Sequence, residues 1–403
     1  MKFLKALFLC LLLCVFSAPA WSADSWKQNQ FIITFWCPPP ADKEILSRVA
    51  KEGFNLTWTD ERGLDIAQKQ GLKAILQDDL LTPRTLLSAK QREKLDALIN
   101  RVKDHPTLEA YFIADEPGAL HFNSLGQLVA YLRERDPNHF AYINLLPVYA
   151  PNKQLGTSGP PQKAYEEYLR RYIAEVRPSL ISYDHYRFFK NNDGDQYFLN
   201  LELISKVAKD NKLPFMNIIQ ASSYEKSWRL VNAGELRWLV YTTLAYGGRG
   251  ISYFLYWGPK AYGGLYQDGV KTPLMGAVSA LNKEIFAQNS ILMNLNNLGT
   301  YHTSPLPSGC APVPASSPVK FLQTGHFVLG LFGKNNRATA FMLVNRRYDI
   351  AVTARISLAP PVRGIEEFDR IKRQWRLYQK SNANEGMDIE LRPGDGRLFR
   401  FLL

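Results

Sequence analysis

The feature that most constrains this chain is an alternation beginning at residue 31, in which short apolar runs are separated by stretches with helical periodicity. This alternation is typical of parallel strands joined by crossover helices. The intervening stretches carry apolar residues at three-to-four spacing, as at Leu95, Leu98, Ile99 and Val102. The strand candidates are Phe31–Trp36, Phe54–Trp58, Lys73–Gln77, Glu109–Ala114, Phe140–Leu146, Leu180–Tyr186, Pro214–Gln220 and Gly250–Trp257.

The length of this alternation favours a closed (β/α)8 barrel, because its units fill about 265 residues and such barrels usually need about 250. A doubly wound open sheet is the alternative fold. That fold usually shows a glycine-rich phosphate-binding turn after its first strand. Here the first strand is followed by Cys37 and the prolines Pro38–Pro40. Proline has no N–H to offer to a phosphate, so the sequence predicts the TIM barrel.

The C-terminal part of the chain changes character at residues 304–318, which are rich in proline and serine and are interpreted as a linker. Beyond them, short β-like runs alternate with Asn, Gly and Pro turns. These runs are Phe327–Phe332, Ala338–Asn345, Ala351–Leu358, Trp375–Gln379 and Arg397–Leu402. The sequence therefore predicts a barrel domain over 24–303 and a small antiparallel β-sandwich domain over 319–403.

The N-terminus has the pattern of a secretory leader, with a basic start at Met1–Lys5, an apolar run at Ala6–Phe16 and small residues after it. We expect residues 1–23 to be a signal peptide and the mature protein to be periplasmic or secreted. No later apolar run reaches about 18 residues, so no membrane span is expected. The net charge is +12, but without a compact Lys/Arg block or a nucleic-acid module, nucleic acid is not an expected partner.

The ends of the predicted strands supply the candidate site residues, because a TIM barrel carries its site at the C-terminal ends of its strands. Aromatic rings stack on the apolar faces of sugars, and acids and amides bond hydroxyls. We therefore expect an oligosaccharide or polysaccharide substrate. The expected substrate-binding residues are Trp36, Trp58, Asp115, Asn144, His185, Tyr186, Gln220 and Trp257.

Glu116 is the principal catalytic candidate. It follows the apolar run Tyr111–Ala114 and precedes Pro117, at the predicted end of strand four. A carboxyl group that is partly desolvated at a strand end has a raised pKa and can protonate a glycosidic oxygen. The sequence thus predicts a general acid at this position.

The same region carries a family resemblance. Tyr111–Pro117 resembles the strand-four signature of the large clan of (β/α)8-barrel glycoside hydrolases whose acid/base glutamate lies in Asn-Glu-Pro. The wider chain resembles a set of uncharacterised bacterial glycoside-hydrolase-like proteins. The matching segments are Tyr111–Gly118, Tyr142–Leu146, Ser182–Phe189, Leu244–Trp257 and Tyr301–Thr303. The resemblance implies retaining hydrolysis of glycosides with Glu116 as acid/base.

The chain departs from the clan at two positions. Asp115 stands where the clan has asparagine, and strand seven ends in Gln220 where the clan has its nucleophilic glutamate. We expect Asp184, at the end of strand six, to be the second catalytic carboxylate, with Glu225 in the loop after strand seven as its competitor. Strands four and six are two steps apart at about 4.8 Å per step. Their carboxyl groups should therefore be ~5–8 Å apart, a range that includes both retaining and inverting spacings.

Other possibilities remain open at this stage. A non-catalytic carbohydrate-binding barrel would account for the missing glutamate, and another hydrolase or lyase of cell-envelope glycan is a further class. No metal or cofactor is expected, because none of the 6 histidines forms a His-x-x-x-His or His-x-His pair. Cys37 and Cys310 could be free thiols or a disulfide.

Overall fold

The computed structural model of the protein describes residues 26–224, 227–380 and 386–403. The predicted signal peptide, residues 1–23, lies outside the described residues. Within the described ranges, no helix combines the length and apolar character that crossing a bilayer requires.

Eight parallel strands form the barrel, in the order β1-β8-β7-β6-β5-β4-β3-β2. The (β/α)8 prediction is therefore confirmed. The strands are β1 Ile32–Phe35, β2 Leu56–Thr59, β3 Lys73–Leu76, β4 Leu108–Asp115, β5 Phe140–Leu145, β6 Ile181–Asp184, β7 Phe215–Gln220 and β8 Gly250–Phe254.

The seam between β1 and β2 is bridged by Asn55, which precedes β2. Its backbone N–H donates to the carbonyl oxygen of Ile33 at 3.1 Å. Its side-chain oxygen accepts from the Ile33 N–H at 2.8 Å, and its side-chain amide donates to the Phe31 carbonyl at 2.7 Å. One asparagine thus replaces the ladder bonds that would otherwise close the barrel.

Helices cover the outside of the barrel and begin at residues suited to that position. Asp42 caps the first helix, where its side chain accepts from two backbone N–H groups. Asn232 and Glu235 form a capping box at the start of the eighth. The helices are α1 Lys43–Lys51, α2 Leu64–Lys69, α3 Ala89–Val102, α4 Phe122–Arg135, α5 Asn152–Leu155, α6 Pro161–Arg171, α7 Tyr197–Asp210, α8 Ala233–Ala245 and α9 Pro273–Asn294.

The end of the eighth barrel strand differs from the sequence prediction. The run Gly250–Trp257 is rich in apolar and aromatic residues up to its end, so its composition does not mark a break after Phe254. In the structure β8 ends at Phe254, and Trp257 begins a separate short strand. That strand belongs to a small sheet of β9 Trp257–Gly258, β10 Tyr266–Gln267 and β11 Val270–Lys271.

The C-terminal region forms the predicted antiparallel β-sandwich. A six-stranded sheet runs in the order β12-β14-β15-β20-β17-β18, and a second sheet in the order β13-β16-β19. The strands are β12 Asn296–His302, β13 Val319–Phe321, β14 Phe327–Lys334, β15 Arg337–Asn345, β16 Val352–Leu358, β17 Gly364–Asp369, β18 Gln374–Lys380, β19 Met387–Leu391 and β20 Gly396–Leu402. Strand β12 falls in the predicted barrel domain 24–303, yet it pairs with β14 in the sandwich.

The central strands of the six-stranded sheet are buried on both faces. One face, which includes Leu329 and Leu343, packs into the core between the two sheets. The other face, which includes Val328 and Met342, belongs to the same apolar core as the barrel. At this junction the indole Nε1 of Trp238 on α8 donates to the carbonyl oxygen of Arg346 at 3.0 Å. The sandwich therefore covers barrel surface that is apolar.

Both cysteines of the described chain are free thiols. Cys37 follows β1 at the C-terminal end of the barrel. The Cys310 sulfur lies 3.5 Å from the hydroxyl of Tyr246, which follows α8 and precedes β8 at the opposite end. The two thiols therefore lie at opposite ends of the barrel, and no disulfide joins them.

Candidate active site

A cavity of about 440 Å³ opens at the C-terminal ends of the barrel strands, where TIM barrels carry their sites. Its floor and walls come from the end of β1, from strands β4 to β8 and from the loops that follow them. The lining residues are Trp36, Asp115, Glu116, Asn144, Leu146, Pro147, Tyr149, Ala150, Pro151, Gln154, Asp184, Tyr186, Ile218, Trp228 and Phe254. Six of the predicted site residues are among them: Trp36, Asp115, Glu116, Asn144, Asp184 and Tyr186.

The backbone at the end of β4 is strained at Glu116. This residue has φ +46°, in the left-handed region that non-glycine residues seldom occupy. Its N–H donates to the carbonyl oxygen of Asn144 at 2.9 Å, and the Tyr168 hydroxyl donates to the carbonyl of Pro117 at 2.9 Å. These bonds hold the strained turn, which costs about 1–3 kcal/mol and is characteristic of functional positions.

Asn144 connects the carboxylates of neighbouring strands. Its side-chain amide donates to Asp115 Oδ1 at 3.1 Å and to Asp184 Oδ1 at 3.0 Å. Its side-chain oxygen accepts from the Ser182 hydroxyl at 3.3 Å. The Tyr142 hydroxyl lies 2.9 Å from that of Ser182 and completes the chain. Both amide hydrogens of Asn144 are therefore used, and its oxygen already accepts one bond. The side chain fixes both aspartates, and only the second lone pair of its oxygen is left for a substrate.

The carboxyl groups of Glu116 and Asp184 are hydrogen-bonded to each other. The structure therefore places Asp184 against Glu116, but closer than the ~5–8 Å expected from strand spacing. The reason is that both side chains lean inward across β5, which lies between their strands. Two carboxyl groups in direct contact cannot both be ionised without strong repulsion, so the pair holds one proton at neutral pH.

Burial and charge set the protonation of this cluster. Asp184 is 3% exposed, and its burial, together with the negative charge of Glu116, raises its pKa well above the usual value. Burial and then the charge of Asp115 raise the pKa of Glu116. Asp115 is exposed at the cavity; desolvation by the surrounding protein raises its pKa, while the Asn144 amide opposes that rise.

Aromatic rings form one wall of the cavity. Tyr186 packs edge-on against Trp228 with ring centroids 4.6 Å apart, and lies 5.4 Å from Phe254. Tyr149 is 41% exposed, and Trp36 lines the cavity from the end of β1. Flat, partly exposed rings beside acids and amides suit a ligand with both apolar faces and hydroxyl groups.

Two of the predicted tryptophans lie outside this cavity. Trp58 is 2% exposed and packs in the core against Trp36 at 5.0 Å and Phe112 at 5.2 Å. Trp257 stacks on Tyr266 at 5.9 Å in the small sheet beyond β8. Their positions in the sequence do not distinguish them from Trp36, because all three come at or near the ends of predicted strands.

Two predicted polar residues are also turned away from the cavity. His185 is 2% exposed; its Nδ1 lies 2.9 Å from Asn200 Oδ1, an oxygen that also accepts from the Val148 N–H. Burial lowers the pKa of His185 to about 4, so it is neutral. The side chain of Gln220 bonds both the N–H and the carbonyl of Phe188 at 3.0 Å. Both residues hold the loop after β6 in place.

Three lining aromatic residues were not among the predicted site residues. Tyr149 and Trp228 lie in the loops after β5 and β7. The predicted site residues came only from the last residues of each strand, so these loop positions were not among them. Phe254 was hidden because strand eight was expected to continue to Trp257. A search of the whole loop after each strand for aromatic residues would have found Tyr149 and Trp228.

Strand β7 presents an apolar side chain to the cavity, since Ile218 lines it and pairs in register with Asp184. The competing carboxylate considered for this side, Glu225, lies outside the described residues. Glu235 is engaged in capping α8 and pairs with Arg229 at 2.7 Å. Within the described ranges, no group of three or more His, Cys, Asp or Glu side chains is arranged to hold a metal ion.

The fold and the cavity together define a (β/α)8-barrel protein with a carboxyl cluster at its mouth, the architecture of barrel glycoside hydrolases. A solved structure of a glycoside hydrolase family 5 protein from Bacteroides vulgatus superimposes with a TM-score of 0.56 and 11% identity, covering 92% of this chain and 89% of its own. At that identity the similarity shows a shared fold. No family model and no curated protein sequence matches the chain.

Two further structures were found at lower similarity. A β-galactosidase from the psychrophilic Marinomonas ef1 has a TM-score of 0.45 and 12% identity, covering 66% of this chain and 61% of its own. A glucosidase from Croceicoccus marinus has a TM-score of 0.43 and 11% identity, covering 93% and 95%. This chain thus spans about three fifths of the Marinomonas protein.

Proposed function

We propose that the protein is a glycoside hydrolase whose carboxyl pair at the barrel mouth cleaves a glycosidic bond. The observation that carries the proposal is the hydrogen-bonded pair of Glu116 and Asp184 in the mouth cavity. A general acid needs a proton at neutral pH, and a pair that retains one provides it. The shared fold with a glycoside hydrolase family 5 structure agrees with this class.

The three carboxyl groups have different environments and therefore different roles. Glu116 is half-buried and lines the cavity, so it is the proton donor to the glycosidic oxygen. Asp184 is buried behind it and keeps the proton on the pair between turnovers. Asp115 is the most open of the three, and as a carboxylate it stabilises the positive charge that develops on the sugar ring.

The aromatic residues support an oligosaccharide or polysaccharide substrate. Outside the cavity, Tyr224 and Tyr262 are 37% and 39% exposed and stack at 5.3 Å. Tyr224 lies 6.1 Å from Trp228, which lines the cavity. The rings thus continue from the cavity to the surface, and a chain of sugars can stack along them. Export to the periplasm or the medium is part of the proposal and rests on residues 1–23.

A non-catalytic carbohydrate-binding barrel is the second candidate. It is favoured by Ile218, because this apolar side chain occupies the β7 position that lines the cavity opposite Glu116. A barrel that only binds sugar would need the aromatic wall and the amide but no nucleophile. Another hydrolase or a lyase acting on cell-envelope glycan is the third candidate class.

The two candidates differ in whether bonds are broken. Mature protein is incubated with a panel of end-labelled oligosaccharides and envelope glycans, and new reducing ends are counted while binding is followed by affinity electrophoresis. We expect at least one glycan to be both bound and cleaved. A glycan that is bound with micromolar affinity and stays intact, together with no cleavage across the panel, would support the binding protein instead.

A further inference from the structure

A second cavity, of about 700 Å³, lies at the opposite end of the barrel, where the sandwich meets it. We call it the junction cavity. Its residues come from the end of α7, the entries to β7 and β8, the start of β12 and the turn between β14 and β15. They are Ser205, Ala208, Lys209, Lys212, Leu213, Pro214, Phe215, Tyr246, Gly247, Arg249, Leu295, Asn296, Asn297, Leu298, Asn335 and Asn336.

The charge of the junction cavity is entirely positive. Lys209, Lys212 and Arg249 line it, and none of the described residues lining it is acidic. Among the described ion pairs, none involves these three cations; neighbouring Lys206, by contrast, pairs with Asp210 at 2.5 Å. The nearby carboxylate of Glu202 interacts with Lys209 electrostatically, without forming an ion pair in contact.

Arg249 is the clearest sign that an anion belongs here. Its guanidinium is half-buried and donates to Asn296 Oδ1 at 3.1 Å, a neutral partner. Burial lowers its pKa, and no carboxylate opposes that shift. Desolvating a cation without a counter-charge is unfavourable, so an anionic group placed against it would be bound strongly.

The size and the polar groups of the junction cavity restrict the class of anion. A volume of about 700 Å³ is in the range of sites for organic molecules and much exceeds the space of one inorganic ion. The side-chain amides of Asn335 and Asn336, on the turn between β14 and β15, can donate to and accept from hydroxyl groups. Lys209 and Lys212 lie within the same cavity and can meet a second acidic group.

We propose that the junction cavity is a binding site for an oligosaccharide that carries carboxylate or sulfate groups. Arg249 binds one acidic group, Lys209 and Lys212 bind the next, and the asparagine amides bond the hydroxyls between them. The site is distinct from the mouth cavity, whose carboxyl groups repel anions. It does not depend on the proposed hydrolase activity, because a barrel that only binds sugar could also carry it.

Calorimetric titration of the mature protein at low salt tests the site. The probes are an oligogalacturonate, a sulfated oligosaccharide, a neutral oligosaccharide of the same length and inorganic sulfate. We expect one of the two charged oligosaccharides to bind, at least about tenfold more tightly than the neutral one or sulfate, and the affinity to fall in 0.5 M salt. Absence of binding by both charged probes, or equal affinity for sulfate, overturns the proposal.

Variants locate the binding. Lys209→Ala combined with Lys212→Ala, and separately Arg249→Gln, should each weaken binding about tenfold or more, since each removes charge-assisted bonds. Lys206→Ala is the matched control on the same helix and should bind as the wild type does. Glu116→Gln should also leave binding unchanged. Wild-type affinity in both the double variant and Arg249→Gln, with circular dichroism showing folded protein, contradicts the assignment.

Discussion

The carboxyl groups of Glu116 and Asp184 share a hydrogen bond across the mouth of the barrel, although their strands are separated by β5. Asn144, which lies on β5, bonds Asp184 with its side chain and accepts from the Glu116 N–H with its carbonyl. This arrangement brings two carboxyl groups together at the mouth of the barrel. It also makes the two carboxyl groups interdependent, so that changing one alters the pKa of the other.

Replacing Asp184 by asparagine should therefore change both rate and pH dependence. The amide keeps the shape but removes the shared proton, and we expect kcat/KM to fall about 100-fold or more. The pair's remaining proton should then be lost at lower pH, because its loss no longer leaves two adjacent carboxylates. Since a general acid is active only while protonated, the limb on which activity declines with rising pH should move to lower pH. An unshifted limb in the pH profile of kcat/KM would contradict the shared proton.

The same substitution should stabilise the fold at neutral pH. Asp184 has a raised pKa in the folded protein, so the folded state binds its proton more tightly than the unfolded chain does. By linkage, the free energy of unfolding then decreases as pH rises from the unfolded pKa through the folded one. Asp184→Asn removes this decrease in stability. Thermal melts should therefore show a free energy of unfolding that is about 0.5–2 kcal/mol higher at neutral pH, and the difference should disappear below about pH 4. A gain independent of pH would point to packing instead.

Trp228 should contribute to substrate binding more than to chemistry. It lines the mouth cavity and packs on Tyr186 at 4.6 Å. We expect Trp228→Ala to raise KM for an oligosaccharide about tenfold, the scale of one lost stacking contact of about 1–2 kcal/mol, with a smaller change in kcat. Trp257→Ala is the matched control, because Trp257 stacks on Tyr266 outside the cavity. Equal effects of the two substitutions on KM would remove Trp228 from the binding wall.

The sandwich should be required for a stable barrel. A chain that ends near Pro314 leaves β12 unpaired and exposes the apolar side of α8, including Trp238, which is 1% exposed in the whole protein. We expect the shortened protein to melt at lower temperature and to aggregate, since large apolar patches are seldom tolerated on soluble domains. A truncated protein as soluble and stable as the full chain would show that the sandwich is an independent module.

The fold could be predicted further than the site. The alternation of apolar runs and helical stretches specified the barrel, because buried parallel strands need continuous apolar sequence. The predicted barrel domain 24–303 includes Asn296–His302, whose pairing with β14 depends on contacts distant in sequence. Trp58 and Trp36 each end a predicted strand, but β2 continues to Thr59 whereas β1 ends before Trp36. Trp58 is therefore buried in the core while Trp36 lines the cavity.

The distance between the carboxyl groups of Glu116 and Asp184 could not be predicted from the sequence either. Strand spacing fixes the distance between Cα atoms but not the directions of the side chains, and the backbone at Glu116 is left-handed. A positive φ at a non-glycine residue leaves no mark in composition or periodicity. Both residues could be named as candidates from their strand ends, whereas the contact between them could not be predicted.

The most direct measurement is the hydrolysis of an unactivated oligosaccharide by wild type and by Glu116→Gln, which removes the proton and keeps the shape. We predict a loss of about 100-fold or more in kcat/KM, with unchanged binding and a much smaller loss on a glycoside whose leaving group needs no protonation. Glu61→Gln is the control, because Glu61 is a carboxylate paired with Arg101 outside the mouth cavity. Unchanged turnover of the oligosaccharide by Glu116→Gln would contradict the assignment of Glu116 as the general acid.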